Sequence, residues 1–291
     1  MSKTKKEVGN KPKSQGYLVW LRLKRHKGAM IGLAVLIFIL LVAIFADFLY
    51  DYDVVIKQDI KNRLQSPSWE HPFGTDEMGR DILARVVHGS RPSVFIGVAS
   101  AIFSTVIGAS LGAIAGFYGG KLGEVLMRLA DMLAAIPTTL IAIVIAASLG
   151  TSVPNLILAC SVGGIPSMMR LMRSSVLQCR NSDYVEAIRA RGATENYILV
   201  KHIVPNSITP IFVNFTLRVS GVIILLAGLS FLGLGIQPPA PEWGALLSNA
   251  RTYIRDYSYL CVFPGLSIML CILSLNLLGD GLRDALDPKL K

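Results

Sequence analysis

Charge is scarce in this sequence. Asp, Glu, Lys and Arg make up 16% of its 291 residues, and 52% are hydrophobic, whereas soluble domains carry about 25% charge. With a mean hydropathy of +0.53, the chain belongs among membrane proteins before any motif is read. Acid is scarcer than base, 19 residues against 29, and no acid falls inside any of the long apolar runs. Intramembrane aspartyl chemistry needs a carboxylate pair, and ion-coupled transport usually places acids near mid-membrane. Both lack their parts here. No G-x-x-x-x-G-K-[ST] loop is present to cradle phosphates. The four histidines, His26, His71, His88 and His202, are scattered, with no H-E-x-x-H. The four cysteines, Cys160, Cys179, Cys261 and Cys271, show no C-x-x-C or metal spacing and read as reduced structural residues. No catalytic, cofactor-binding or metal-binding residues are expected.

What is present is a series of long uncharged runs. Residues 29–46 are apolar for 18 residues, enough for one span and too long for the core of a signal peptide. The 29 residues 92–120 carry no charge, with glycines at 108, 112 and 116, the small-residue spacing that allows close helix contact in lipid. The 38 uncharged residues 132–169 would make one helix of about 57 Å, twice the hydrocarbon core. Gly150 to Pro154 divides that run into two spans, and Gly163-Gly164-Ile165-Pro166 kinks or ends the second. Residues 207–235 form the fifth span and 257–279 the sixth. Arg218 lies inside the fifth, where a charge costs about 2.5–3.5 kcal/mol on insertion scales. It reads as a functional candidate or as a side chain snorkelling to water, and Asn214, four residues earlier, shares its helix face.

Basic residues follow the topology. Residues 1–27 hold nine Lys or Arg. With the N-terminus inside, the inner segments hold 20 of the 29 basic residues and the outer segments eight, Arg218 being the remaining one. This asymmetry supports six spans with both ends cytoplasmic, and it explains the net charge of +10 without nucleic acid. The expected organisation is a basic cytoplasmic tail over 1–28 and a transmembrane domain over 29–291. The latter has an external loop at about 47–91 and a cytoplasmic loop at about 170–206. Within 121–131, Arg128 and Asp131 stand three apart, able to pair on a helix face.

Asp183 to Pro205 is the main polar interruption of the second half. Asp183 can cap a short helix, with Glu186 closing a capping box. Gly192 stands at a helix C′ position, and Thr194 can cap a second short helix ending before Pro205. The product is two short helices bent about a glycine, readable from spacing as an amphipathic hairpin on the membrane surface. Residues 74–81, Gly-Thr-Asp-Glu-Met-Gly-Arg-Asp, read as a turn and a helix cap. Their charged residues suit bracing of the fold better than contact with cargo.

These motifs together resemble bacterial ABC-importer permeases. Glu186-Ala187, Gly192-Ala193, Ile203 and Pro205 resemble the EAA loop, which in that family docks into an ATPase subunit; Ile188 departs from the third, small position. Gly74, Thr75, Asp76, Gly79, Arg80 and Asp81 resemble the signature of the peptide- and nickel-importer subgroup. So do the stretch Gly228 to Gly244 and the closing GD-x-LRD-x-LDP from Gly279 to Pro288. Members commonly carry a glutamate where Leu226 stands.

The resemblance implies an all-α polytopic fold of six transmembrane helices, of the type I ABC-importer kind. It implies the C-type permease of an oligopeptide-type importer in the bacterial inner membrane. Expected partners are a second permease subunit in a heterodimer, two ATPase subunits, an external solute-binding protein and membrane lipid. Cargo would be peptide, nickel or a metal chelate, or a sugar. An ion-coupled secondary transporter working without an ATPase is the alternative that the missing acids disfavour.

The topology is testable by cysteine labelling in a background lacking the four native cysteines. Cysteines at Ser66 and Ser248 are expected to react with an impermeant reagent outside intact cells, and those at Ser182 and Lys291 to stay unlabelled. External labelling at Ser182 would overturn the orientation.

Overall fold

The structure, a computed structural model, describes residues 15–286. The polar stretch 1–14, the final part of the closing motif and Lys291 lie outside them. Helices α1 (Gln15–Arg25) and α2 (Lys27–Ile44) meet at His26, whose Nδ1 accepts the Ala29 N–H at 3.0 Å and caps α2. Two short helices, α3 (Ala46–Leu49) and α4 (Tyr52–Ile56), precede α5 (Ile82–Tyr118). Then come α6 (Gly120–Ala134) and α7 (Thr138–Leu149), bent by 80°, and α8 (Val153–Val162) and α9 (Ile165–Arg180), bent by 50°. Helices α10 (Asp183–Ala190) and α11 (Glu195–Ile198), a π-helical turn over Leu199–Ile203 and α12 (Val204–Ser207) form the polar loop. The chain continues through α13 (Thr209–Phe231), α14 (Trp243–Ala250) and α15 (Tyr259–Leu286). Among the described residues there is no strand ladder, only an isolated bridge between Thr75 and Asp81.

Helices α2, α5, α13 and α15 are each long and apolar enough to cross a membrane, and the two bent pairs bring the count to six. Many large apolar side chains, including Ile31, Phe38, Val106, Ile224 and Met269, are exposed. On a soluble protein that surface would aggregate; on helices long and apolar enough to cross a membrane it suits lipid or a neighbouring subunit.

Several boundaries differ from those read in the sequence. Helix α5 begins at Ile82, well before the uncharged run, because the Asp81 carboxylate accepts the Ala84 N–H at 2.9 Å and caps it there. The charges in its first turns are paired rather than terminating. His88 bonds the Tyr50 carbonyl at 2.7 Å, and Arg91 pairs with Asp47 at 2.7 Å. Residues 121–131 are no loose connection but belong to α6, which runs from the Gly119-Gly120 turn to a break before Pro137. Asp131 does not pair with Arg128. Its carboxylate meets Arg170 of α9 at 3.1 Å, so a cross-helix pair replaces the expected one within the helix.

The closest helix contact is α5 on α9. A Cβ at Gly108 would lie 2.7 Å from the Ile165 carbonyl oxygen, one at Gly112 would overlap the Met169 carbonyl, and one at Gly116 would lie 3.0 Å from the Arg173 carbonyl. Glycines one turn apart thus face residues 165, 169 and 173 one turn apart, and the two backbones touch along three turns. In lipid, where apolar burial gives no preference for helix over solvent, such backbone approach is a main source of association.

Gly112→Ala is therefore expected to force α5 and α9 apart at a cost of about 1–3 kcal/mol, read as a lower thermal unfolding midpoint of the detergent-solubilised protein. Gly228→Ala, where an added Cβ meets nothing within 4 Å, is the control and should leave the midpoint unchanged.

Candidate functional site

Three places concentrate the polar groups: the loop at the C-terminal end of α5, a buried charge network at its N-terminal end, and Arg218 between them.

The loop folds as two short helical pieces about Gly192, which has φ +86°. The Gly192 N–H bonds the Arg189 carbonyl at 2.9 Å, and only a residue without a side chain takes this conformation freely. Across the bend Arg189 grips Glu195 through two bonds of 2.7 and 3.0 Å. That hydrogen-bonded guanidinium holds the Glu195 carboxyl below its ordinary range. The caps differ from expectation. Ser182, not Asp183, is the N-cap of α10, and its hydroxyl is spent on the Cys179 carbonyl at 2.6 Å, so no capping box forms with Glu186. Asp183 and Glu186 instead lie in the first turn, where the helix dipole favours acids. Thr194 holds the N-cap position of α11 without a side-chain cap bond. The second helical piece does not end before Pro205. Pro205 lacks the N–H that would bond the Lys201 carbonyl, and the wider π turn just ahead of it lets the helix continue to Ser207.

Beneath the loop, Val185, Ile198, Leu199 and Ile203 are buried against Phe117, Met172 and Val176 of α5 and α9. On its outer side Asp183, Glu186, Ala187, Gly192 and Pro205 are exposed and Ala193 is half-buried. Glu186, Arg189 and Glu195 line a hollow of about 400 Å³ with Tyr118, Arg180 and Asn181.

At the other end of α5 the signature residues lock together. Gly74 and Gly79 have φ of +78° and +73°, bending the chain twice. Asp76 and Arg80 are 4% and 5% exposed, so each needs its partner. The Asp76 carboxylate accepts from Arg80 Nε at 2.7 Å and from the backbone N–H groups of Met78 and Arg80, both at 2.9 Å. It also meets Arg85 Nε at 3.5 Å. The Thr75 hydroxyl takes the Gln65 N–H at 2.8 Å, and Asp81 holds His71 at 2.8 Å while capping α5. The expected pairing of loop charges with each other is what the geometry contains.

Glu242, within the stretch Gly228 to Gly244, is buried at 1% exposure. Its carboxylate caps α14 through the Gly244 and Ala245 N–H groups, both at 2.9 Å. It also accepts from Ser93 of α5 at 2.9 Å and Ser230 of α13 at 2.7 Å. The available signal was its position directly before a short helix, within a charge-free stretch.

Arg218 is half-buried on α13. Its Nη2 donates to the Cys160 carbonyl at 3.0 Å, while its Nε is buried without a partner. It lines a hollow of about 460 Å³ with Thr138, Thr139, Gly221 and Gly228. Asn214 does not join it. Its amide bonds the Pro210 carbonyl at 3.0 Å, and it lines a separate hollow with Arg283.

Comparison with known proteins adds the following. The family model for the binding-protein-dependent transport system inner membrane component matches residues 108–291, and the N-terminal TM domain of oligopeptide transport permease C matches residues 14–67. The dipeptide transport system permease protein DppC of Alkalihalophilus pseudofirmus is 43% identical over 93% of this chain and 88% of its own. The glutathione transport system permease protein GsiD of Pectobacterium atrosepticum is 42% identical over 94% and 90%. The fold is similar to that of the MetNI methionine ABC transporter in its inward-facing conformation, with TM-score 0.58 and 18% identity over 71% of this chain and 98% of that one.

Removing one member of the buried network leaves charges uncompensated. Asp76→Ala is expected to cost about 3–5 kcal/mol, seen as loss of folded protein in the membrane and a lower unfolding midpoint. A variant that folds and unfolds like wild type would remove the bracing role.

Proposed function

Because the chain belongs to the family of binding-protein-dependent transport-system inner-membrane components, we propose that it is the C-type permease subunit of a peptide importer. It is a multi-pass inner-membrane ABC permease working with other components of its transporter. In our reading those components are a second permease subunit, two ATPase subunits and an external binding protein that delivers short peptides. Peptide is favoured because relatives at 40–43% identity are permeases for dipeptides, di/tripeptides and glutathione. No group of His, Cys, Asp or Glu that could hold a metal ion occurs among the described residues, which speaks against a metal-handling path.

The observation that carries the coupling role is the two-sided build of the Asp183–Pro205 loop. Its outer side, with Asp183, Glu186, Ala187 and Gly192, is free for an ATPase cleft. Its underside is fixed by Val185, Ile198 and Ile203 to the ends of α5 and α9. A push on the loop therefore moves those two helices together, since their backbones are in contact at Gly108, Gly112 and Gly116. ATP-driven closure on the inner side would in this way open and close a path between the permease subunits. The orientation this needs, with both termini and the loop cytoplasmic, is the one the basic residues favour. The network around Asp76 serves in this scheme as an external brace.

Gly192→Val strains a residue at φ +86° by about 1 kcal/mol or more and reshapes the bend, while Glu186→Lys reverses a charge on the docking side. Both are expected to reduce substrate-stimulated ATP hydrolysis by the purified complex several-fold with the membrane helices still inserted. Wild-type stimulation in both, at full subunit stoichiometry, would overturn the coupling role.

A further inference from the structure

Arg218 lacks the carboxylate pairing of the Asp76 network, as does Arg173, whose Nε is likewise buried without a partner. Asp76, Arg80 and Arg85 compensate each other, and Glu242 accepts four hydrogen bonds. Arg218 has a single bond, to the Cys160 carbonyl, and no carboxylate among the described residues pairs with it.

The reason lies in two helix breaks that meet at this residue. Pro166 interrupts the helical ladder between α8 and α9, and the Gly164 N–H turns to the Ser161 carbonyl at 2.9 Å. The Cys160 carbonyl thus loses its usual i+4 donor, and Arg218 supplies one. The guanidinium lies flat on Gly164, so close that any Cβ there would overlap it. The second break, at Pro137, begins α7 at Thr138, and a Cβ at Gly163 would overlap the Thr138 side chain. Two discontinuous helices and one cation therefore share one point, about halfway along the bundle.

The hollow beside it is open. Thr138 and Thr139, at the N-terminal end of α7, lie on its wall, and Ile143, Ile224, Leu225, Leu229 and Leu232 make the rest of it apolar. Cβ atoms at Gly221 and Gly228 would meet nothing within 4 Å. A guanidinium and a helix N-terminus both favour negative charge, and discontinuous helices whose N-termini face anionic groups are how transporters build sites at mid-membrane. A cation without a counter-ion in a low-dielectric wall is costly until an anion arrives.

We propose that this hollow is a transient carboxylate subsite of the translocation path, in which Arg218 takes the C-terminal carboxylate of a short peptide. The inference rests on the peptide reading above. Because the carboxylate arrives with the cargo and leaves with it, the positive charge of Arg218 is neutralised only while cargo is present. A permanently paired arginine in the same place would bind nothing.

The test uses the complete reconstituted complex. Binding-protein-dependent uptake of a radiolabelled dipeptide is measured first; its absence would overturn the peptide reading and this inference with it. The same complex, without binding protein, is then titrated in detergent with a free-acid dipeptide and with its C-terminal amide. Wild type is expected to bind the acid at least about tenfold more tightly than the amide, the scale of one charge-assisted hydrogen bond. Arg218→Gln should remove that preference, and Arg218→Lys, which keeps the charge without the fork, should keep part of it. Equal affinities for acid and amide in wild type, beside normal peptide uptake, would overturn the subsite alone. This contrast needs no variant, so it holds even if Arg218→Gln fails to assemble. A wild-type complex that ignores the carboxylate while Arg218→Gln loses the second permease would mark Arg218 as an intersubunit ion-pair residue and likewise overturn the proposal.

Discussion

The contact on which the rest of the structure depends is the backbone approach of α5 to α9. A membrane interior offers two helices no hydrophobic reason to prefer each other to lipid, so association has to come from shape and dipoles at short range. Three glycines one turn apart supply it. Since α5 is 37 residues long, about 55 Å at the helical rise, the contact ties distant things together. At one end of α5 stand Asp81 and the network of Asp76, Arg80 and Arg85. At the other, Phe117 and Tyr118 support the bent loop. Arg218 meets the junction of α8 and α9, at the level where α9 begins.

Each end of α5 answers the same difficulty differently. The charges near Asp76 are removed from water and are paired among themselves, through side chains and the backbone of two glycine-bent turns, with Arg85 Nε alone left without a hydrogen bond. The loop end keeps its charges in solvent and buries only its apolar underside. A network sealed in this way resists movement, because any displacement leaves a buried charge unpaired. A loop attached by apolar side chains to helix ends can shift with them at much smaller cost. The asymmetry fits a machine braced at one face and driven from the other.

Much of this was legible in the sequence, for definite reasons. Lipid imposes long uncharged runs, so α2, α13 and the start of α15 could be placed to within a few residues, although α15 runs on through Asp280 and Arg283 to Leu286. The glycine at 192 could be assigned its turn because few other residues take a positive φ. Residues 74–81 read as a turn whose charges suit bracing of the fold, and the glycines at 108, 112 and 116 as a contact face. What escaped was whatever depends on which polar group reaches a given atom first. Asp183 yielded the cap to Ser182, which the chain direction after α9 places at the turn. Arg128 lost Asp131 to Arg170, a residue from another helix. The start of α5 was hidden because Arg85, His88 and Arg91 find partners and so need not end a helix. The burial of Glu242 gave no sequence signal beyond its place before a short helix, because its partners, Ser93 and Ser230, lie 149 and 12 residues away.

Asn214 and Arg218 show the limit of periodicity most plainly. Four residues apart on one helix, they were expected to serve one face. The structure gives them separate hollows, because the carbonyl that Arg218 reaches is freed by a break in a different helix. Helical spacing fixes the direction in which a side chain leaves its own helix, but a site also needs a vacancy in the neighbour. Here the vacancy comes from Gly163, Gly164 and Pro166, residues the sequence marks as a kink without saying what occupies it. A bend in one helix and a charge in another are each costly alone. Placed together, the freed carbonyl and the guanidinium satisfy part of each other's need, and the part left over, the positive charge itself, is what the proposed carboxylate subsite rests on.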